Sequence, residues 1–259
     1  MSSVPVHSVR FLAETSSGGV LEREFSVGDI PGMLWTPASG GDRAPLVLVG
    51  HGGGRDSKAP PTAGRARLLV TRCGFNVAAI DAPGHGDRPR TETDDREIAA
   101  MQAAMASGEP VGPIVVPYNL HLAERAVPEW QATLDALQQL PEIGDEGPVG
   151  YYGLNMGTAI GMPLTAADPR ITAAAFGIFW HNEYLAEVAS RITVPVEFAL
   201  QWDDQHIPRQ SGLALFDAFA SKEKTLHANA GTHKEVPRFE SDSAVRFFGR
   251  HLTGAASAA

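Results

Sequence analysis

The sequence predicts an α/β domain built on a mostly parallel sheet with helices on both faces. From Pro45 onward, short continuous apolar runs recur at 46–49, 77–80, 149–152, 171–179 and 194–200, each bounded by Gly, Pro or Asp. Segments of helical period lie between them. Runs that are apolar on both faces and alternate with helices belong to a parallel sheet covered on both sides. The 259 residues, 43% hydrophobic and 20% charged, also suffice for one large core.

Taken in order, the first forty residues alternate apolar and polar, as in Val9-Arg10-Phe11-Leu12-Ala13-Glu14, with Ser17-Gly18-Gly19 as a turn. They predict one or two antiparallel hairpins. Helices are expected at 59–71, 127–140, 156–166, 210–220 and 241–250, with Pro128 at a helix start, where a missing N–H costs nothing. Residues 88–120 break the rhythm with an acidic stretch (Glu92, Asp94, Asp95, Glu97), an Ala/Met-rich helix and a Gly/Pro run. A connection of this length reads as an insertion, a small cap over the sheet edge. Residues 1–259 form a single domain without repeat or linker, and 254–259 read as a flexible tail.

The balance of 21 Lys and Arg against 30 Asp and Glu gives a net charge of -9. That argues against nucleic acid as a partner, which requires clustered positive charge. The single cysteine, Cys73, excludes an internal disulfide framework and reads as a small buried hydrophobe. No apolar run reaches signal-peptide or membrane-span length, so a soluble cytoplasmic protein with no membrane partner is expected. No His-Glu-x-x-His or comparable spacing occurs, so neither a metal nor another cofactor is expected. Oligomeric state is not legible.

The residues that carry chemistry stand at the ends of the apolar runs, where a parallel sheet presents its site. The first ends in Gly50-His51-Gly52-Gly53-Gly54, whose bare backbone lets N–H groups approach a ligand. The second ends in Asp81-Ala82-Pro83-Gly84-His85-Gly86-Asp87. The third turns through Gly153-Leu154-Asn155-Met156-Gly157, with glycines two before and two after the apex of a sharp strand-to-helix turn. Later come Asp203 and Asp204 in Gln201-Trp202-Asp203-Asp204-Gln205-His206-Ile207-Pro208, then His233 in Ala230-Gly231-Thr232-His233.

With these five motifs in this order, the chain resembles the α/β-hydrolase superfamily, nearest to bacterial dienelactone-hydrolase-like and acetyl-esterase-like serine hydrolases. The resemblance covers roughly residues 45–250. It implies an α/β-hydrolase fold, a small acyl ester or related molecule as partner, no cofactor, and hydrolysis through an acyl-enzyme. It places the nucleophile at position 155, the general base at His233 and the orienting acid at Asp204, with Asp203 as the alternative. Oxyanion donors would be the N–H groups of Met156 and of Gly52 or Gly53. Candidate pocket residues are His51, Trp180, His181, Tyr184 and His206. His51 and His85 brace the loops that carry them.

The departure is Asn155, where the family has serine. A carboxamide is a poor nucleophile because its lone pair is delocalised. Three explanations stand: a substitution made in a working esterase, a scaffold that binds ligand or moves protons through His233 without a covalent nucleophile, or deamidation to a carboxylate nucleophile. The expectation is a carboxylic-ester hydrolase, inactive or impaired in this form. The alternative is a non-hydrolytic ligand-binding or proton-transfer protein.

Overall fold

The computed structural model describes residues 8–40 and 43–253, so the predicted tail at 254–259 lies outside the described residues. Val9–Ser17 (β1), Val20–Val27 (β2) and Ile30–Pro37 (β3) form an antiparallel meander. Gly18 and Gly19, both at positive φ, turn its first hairpin. β3 pairs antiparallel with Asn76–Ile80 (β5). Every later pairing is parallel, through Leu46–Gly50 (β4), Val149–Gly153 (β6), Ile171–Gly177 (β7), Val196–Gln201 (β8) and Lys224–Asn229 (β9). The order across the sheet is β1-β2-β3-β5-β4-β6-β7-β8-β9.

β4, β5 and β6 are buried at every residue, as strands covered on both faces must be. On one face Pro60–Cys73 (α1) touches Phe239–Leu252 (α7). On the other, Gly112–Leu137 (α3), Met156–Ala167 (α4), Glu183–Ala189 (α5) and Arg209–Ala218 (α6) pack in succession, and Glu92–Ser107 (α2) lies on α3. The chain leaves β4 toward β5 and returns to β6 on β4's other side. The carboxyl ends of β4 and β6 therefore flank the crevice where ligands settle in open α/β sheets.

The structure corrects three expectations. The helix expected at 127–140 begins at Gly112 and holds both Pro117 and Pro128 in its interior. Its buried stripe, through Val115, Tyr118, Leu122, Ala126 and Trp130, continues past both prolines, and that burial outweighs the two missing N–H bonds. The strand expected at 171–179 stops at Gly177, where φ turns to 152° and Ile178 follows at 54°. β9 was not anticipated, because Lys224-Thr225-Leu226-His227-Ala228-Asn229 is a half-solvated edge strand rather than an apolar run.

Residues 88–120 supply α2 and the start of α3. Asp94, fully buried, closes a capping box with Thr91 and accepts from Arg125 at 3.1 Å and from the Tyr118 hydroxyl at 3.3 Å. Part of the predicted acidic stretch is thus the anchor that ties α2 to α3. Gly112, at the start of α3, abuts the indole of Trp180, beyond the carboxyl end of β7. Among the described residues, no helix is long and apolar enough to cross a membrane.

Candidate active site

Asn155 stands between β6 and α4 with φ 57° and ψ -122°. Among the described residues only Asn155 and Ile178 combine a side chain with positive φ. Such a conformation costs on the order of 1–3 kcal/mol and persists only where the surroundings impose it. Here they do so from three sides. A Cβ on Gly153 would lie 2.6 Å from the Gly157 carbonyl oxygen, and one on Gly157 would lie 2.9 Å from that of Gly50. Only glycines admit so tight a turn beside β4. The Tyr151 hydroxyl donates to the Gly157 carbonyl at 2.7 Å from within the core. Thr158 Oγ1 lies 2.9 Å from the Gly153 carbonyl and 2.7 Å from that of Gly177, and accepts from the Gly177 N–H at 2.9 Å. The Asn155 N–H donates to the same Gly177 carbonyl.

The turn aims Asn155 at His233, with Asn155 Nδ2 2.6 Å from His233 Nε2. On the far side of the ring, Nδ1 lies 2.7 Å from Asp204 Oδ2. The carboxylate is an acceptor, so Nδ1 carries the ring proton and Nε2 accepts from the carboxamide. Asp204 Oδ1 accepts from the N–H groups of His206 and Ile207 at 2.8 and 3.0 Å. Burial alone would raise this carboxyl. The hydrogen bonds from His233, Ile207 and His206 outweigh it and hold the group below the usual carboxylate range. Asp203, by contrast, has a side chain 63% exposed and lies 3.6 Å from Arg209. Of the two candidate acids, Asp204 meets the imidazole. The His233 N–H donates to Gln205 Oε1 at 3.1 Å, which fixes the loop carrying the ring.

Gly50 is in register with Gly153, so the loop after β4 lies level with Asn155. Among the described residues, the N–H groups of Gly52, Gly53 and Met156 make no backbone hydrogen bond outside regular elements, leaving them able to receive an anionic oxygen. His51 Nδ1 donates to the Gly52 carbonyl at 2.9 Å, and its Nε2 accepts from the Ala82 N–H at 3.0 Å. With the ring buried and both nitrogens used by backbone, His51 braces this loop and has nothing left to offer a ligand. Burial pushes its pKa down to about 4.

The other pocket candidates are scattered. His206 stacks edge-on against His233 with ring centroids 5.3 Å apart. Trp180 is buried against Phe179 and Gly112. The His181 N–H donates to Ser211 Oγ at 2.8 Å, and Tyr184 is exposed on α5. Sequence reasoning missed Thr158 and Gln205, whose positioning roles follow no motif. Thr158 follows the elbow directly, and that adjacency was the one available signal.

The arrangement can do what an imidazole–carboxylate pair does: accept a proton at Nε2 while backbone N–H groups hold an oxyanion. No protein-family model and no curated protein matches the chain. Among solved structures, it is similar to a cold-adapted esterase from an Arctic intertidal metagenomic library in a PEG-bound complex. The two share 34% identity over 92% of this chain and 97% of that one, with a TM-score of 0.73. At 17% identity, an acetyl xylan esterase from Paenibacillus sp. R4 gives a TM-score of 0.65, covering 96% of this chain and 90% of that one. A 2,6-dihydroxy-pseudo-oxynicotine hydrolase gives 0.62 at 14% identity, over 97% and 70%. The last two likenesses concern the fold alone.

Proposed function

The chain belongs to the α/β-hydrolase superfamily, and from that premise we propose that it carries a carboxylic-ester hydrolase site of the Ser-His-Asp type whose nucleophile position is occupied by Asn155. The observation that carries this reading is the unbroken hydrogen-bond line Asn155–His233–Asp204, at 2.6 and 2.7 Å. A small or medium acyl ester would place its carbonyl carbon above position 155, with its oxygen toward the N–H groups of Met156 and of Gly52 or Gly53. Residues 88–120 would cap the site. With serine at the apex, His233 Nε2 takes the hydroxyl proton, the oxygen attacks, the backbone N–H groups stabilise the oxyanion and water releases the acyl group.

Asn155 removes the first step. Loss of the nucleophile from such a site costs about 10⁶ in kcat, roughly 8 kcal/mol of transition-state stabilisation. What is left over water is on the order of 10³–10⁴, from the oxyanion hole and binding. As it stands, the chain binds acyl compounds without forming an acyl-enzyme.

Hydrolysis of p-nitrophenyl acetate and butyrate by the chain and by Asn155→Ser, side by side, tests this. The variant gains several orders of magnitude, and His233→Ala in the same background abolishes the gain. A folded variant with no gain refutes the ester-hydrolase reading. It would favour the second reading, a non-hydrolytic binding or proton-transfer site, which rests on the donor and the acceptor that the Asn155 carboxamide offers a ligand.

A further inference from the structure

Where β8, β9 and the first turn of α7 meet, three ligand-type side chains from three elements converge. Glu197 on β8 is in register with Thr225 on β9, and Ala199 with His227, so Glu197 and His227 lie on one face of the sheet, a pleat apart. Glu240 reaches them from the first turn of α7. His227 Nδ1 lies 2.6 Å from Glu240 Oε2, and Nε2 lies 3.7 Å from Glu197 Oε2. One donor atom from each of the three residues falls within 4.8 Å of the other two.

Acidic side chains outnumber basic ones among these three residues. Two carboxylates, each 7% exposed, face one imidazole. Glu240 has its hydrogen bond to His227. Glu197 makes no side-chain hydrogen bond among the described residues, and His227 Nε2 lies 3.7 Å from its Oε2. Arg246, one turn and a half along α7, also faces the cluster, but its guanidinium donates to Ser243 Oγ at 2.9 Å and makes no ion pair with Glu197 within 4.0 Å. A carboxylate nine-tenths buried beside a second carboxylate and an imidazole, without a hydrogen bond of its own, is costly in its ionised form, and either a proton or a bound cation relieves that cost.

We propose that Glu197, His227 and Glu240 bind a zinc-class divalent ion that ties β9 to the first turn of α7. The imidazole selects a borderline ion over calcium or magnesium, which prefer all-oxygen shells. Ligand atoms around a tetrahedral zinc stand roughly 3.3 Å apart, and one donor atom from each residue lies within 4.8 Å of the other two, so an ion would take a single nitrogen of His227 and draw the carboxylates in by side-chain rotation. Water takes the remaining position. His227 and Glu240 bracket residues 228–239, the segment that carries His233. The ion would therefore clamp both ends of that loop. The proposal is independent of the esterase reading. The sequence offered no metal pattern because the ligands come from two strands and a helix, 30 and 13 residues apart.

Zinc chloride titrated by calorimetry into the EDTA-treated, dialysed chain tests it. One ion binds per chain, and a hundredfold excess over Kd raises Tm by roughly 5–10 °C. Glu197→Gln and His227→Gln each weaken binding at least tenfold, whereas His233→Ala leaves it unchanged. Hydrogen exchange on the unsubstituted chain gives a second readout that needs no variant: zinc slows exchange in 224–229 and 239–243. Absence of binding overturns the proposal. So does binding that survives Glu197→Gln and His227→Gln, or that is lost in His233→Ala and protects residues around Asp204 instead, since zinc would then sit on the imidazole–carboxylate pair of the active site.

Discussion

Asp204→Asn replaces one oxygen by nitrogen and forces a chain of hydrogen-bond reversals. Oδ1 accepts from two fixed backbone donors, His206 and Ile207. The new carboxamide therefore turns its oxygen to them and its NH2 toward His233 Nδ1. That nitrogen must now accept, so the ring proton moves to Nε2, which faces Asn155 Nδ2 at 2.6 Å. Asn155 has to flip and present its oxygen. The loss is one charge-assisted hydrogen bond where the acid's side chain is only 3% exposed, worth about 1.5–3 kcal/mol. For a chain of this length that lowers Tm by roughly 3–12 °C. In the Asn155→Ser background the change offers the wrong ring nitrogen to the hydroxyl, and kcat falls about 10⁴-fold. Thermal unfolding, nitrogen-15 spectra of the His233 ring and p-nitrophenyl acetate turnover together read all three effects. Equal losses from Asp203→Asn, or an unchanged His233 tautomer in Asp204→Asn, would refute the reasoning.

Two further substitutions probe the scaffold. Gly157→Ala sets a methyl 2.9 Å from the Gly50 oxygen and 3.2 Å from its carbonyl carbon, and urea unfolding should register a loss of about 1–3 kcal/mol. Gly64→Ala, in an exposed turn of α1 with nothing within 4 Å of the new methyl, should gain about 0.5–1 kcal/mol; equal effects at the two sites would contradict the crowding argument. His51 governs acid stability. Unfolded, it takes a proton near 6.5; folded, burial delays this to about 4. Its contribution is complete above pH 6.5 and lost as pH falls through 4, by roughly 3 kcal/mol in all. His51→Gln should flatten the stability–pH curve over that window, and an unchanged slope would sink the assignment.

The parallel half of the sheet was legible because burial on both faces leaves uninterrupted apolar runs, and the elbow because two glycines flank it at fixed spacing. What escaped had local cues that pointed elsewhere. Pro128 reads as a helix start, yet the buried stripe from Val115 to Trp130 carries the helix through it. β9 shows no apolar run because its outer face meets solvent. Asp94 sits in an acidic stretch that reads only as part of an insertion, because its partners Tyr118 and Arg125 are 24 and 31 residues away. In the site, chain order made Asp204 and His233 visible, whereas the choice of Asp204 over Asp203 depends on which carboxylate turns inward to two backbone N–H groups. The same limit hid Glu197, His227 and Glu240, which meet only once β8, β9 and α7 are packed.

A hydroxyl and a carboxamide at position 155 present His233 with the same thing, a hydrogen to accept at Nε2. The line Asn155–His233–Asp204 can therefore close at hydrogen-bond distances whichever of the two is present, and the ring tautomer, the N–H groups of Gly52, Gly53 and Met156 and the elbow's backbone strain are all set without reference to nucleophilicity. The difference arises only when the proton is withdrawn. A hydroxyl then yields a localised alkoxide, whereas the amide's lone pair stays spread over the carbonyl. On the proposed reading, Asn155→Ser thus requires no rearrangement of its neighbours. Its one structural demand is that serine accept φ 57° and ψ -122°, a strained conformation for any residue with a side chain and outside the left-handed helical region that Asn favours. The cost to serine is bounded by the roughly 1–3 kcal/mol of such strain, well below the roughly 8 kcal/mol a nucleophile supplies. A gain in turnover accompanied by a modest fall in Tm is therefore the signature to expect, and a gain bought by wholesale destabilisation would mean that the elbow is shaped for asparagine.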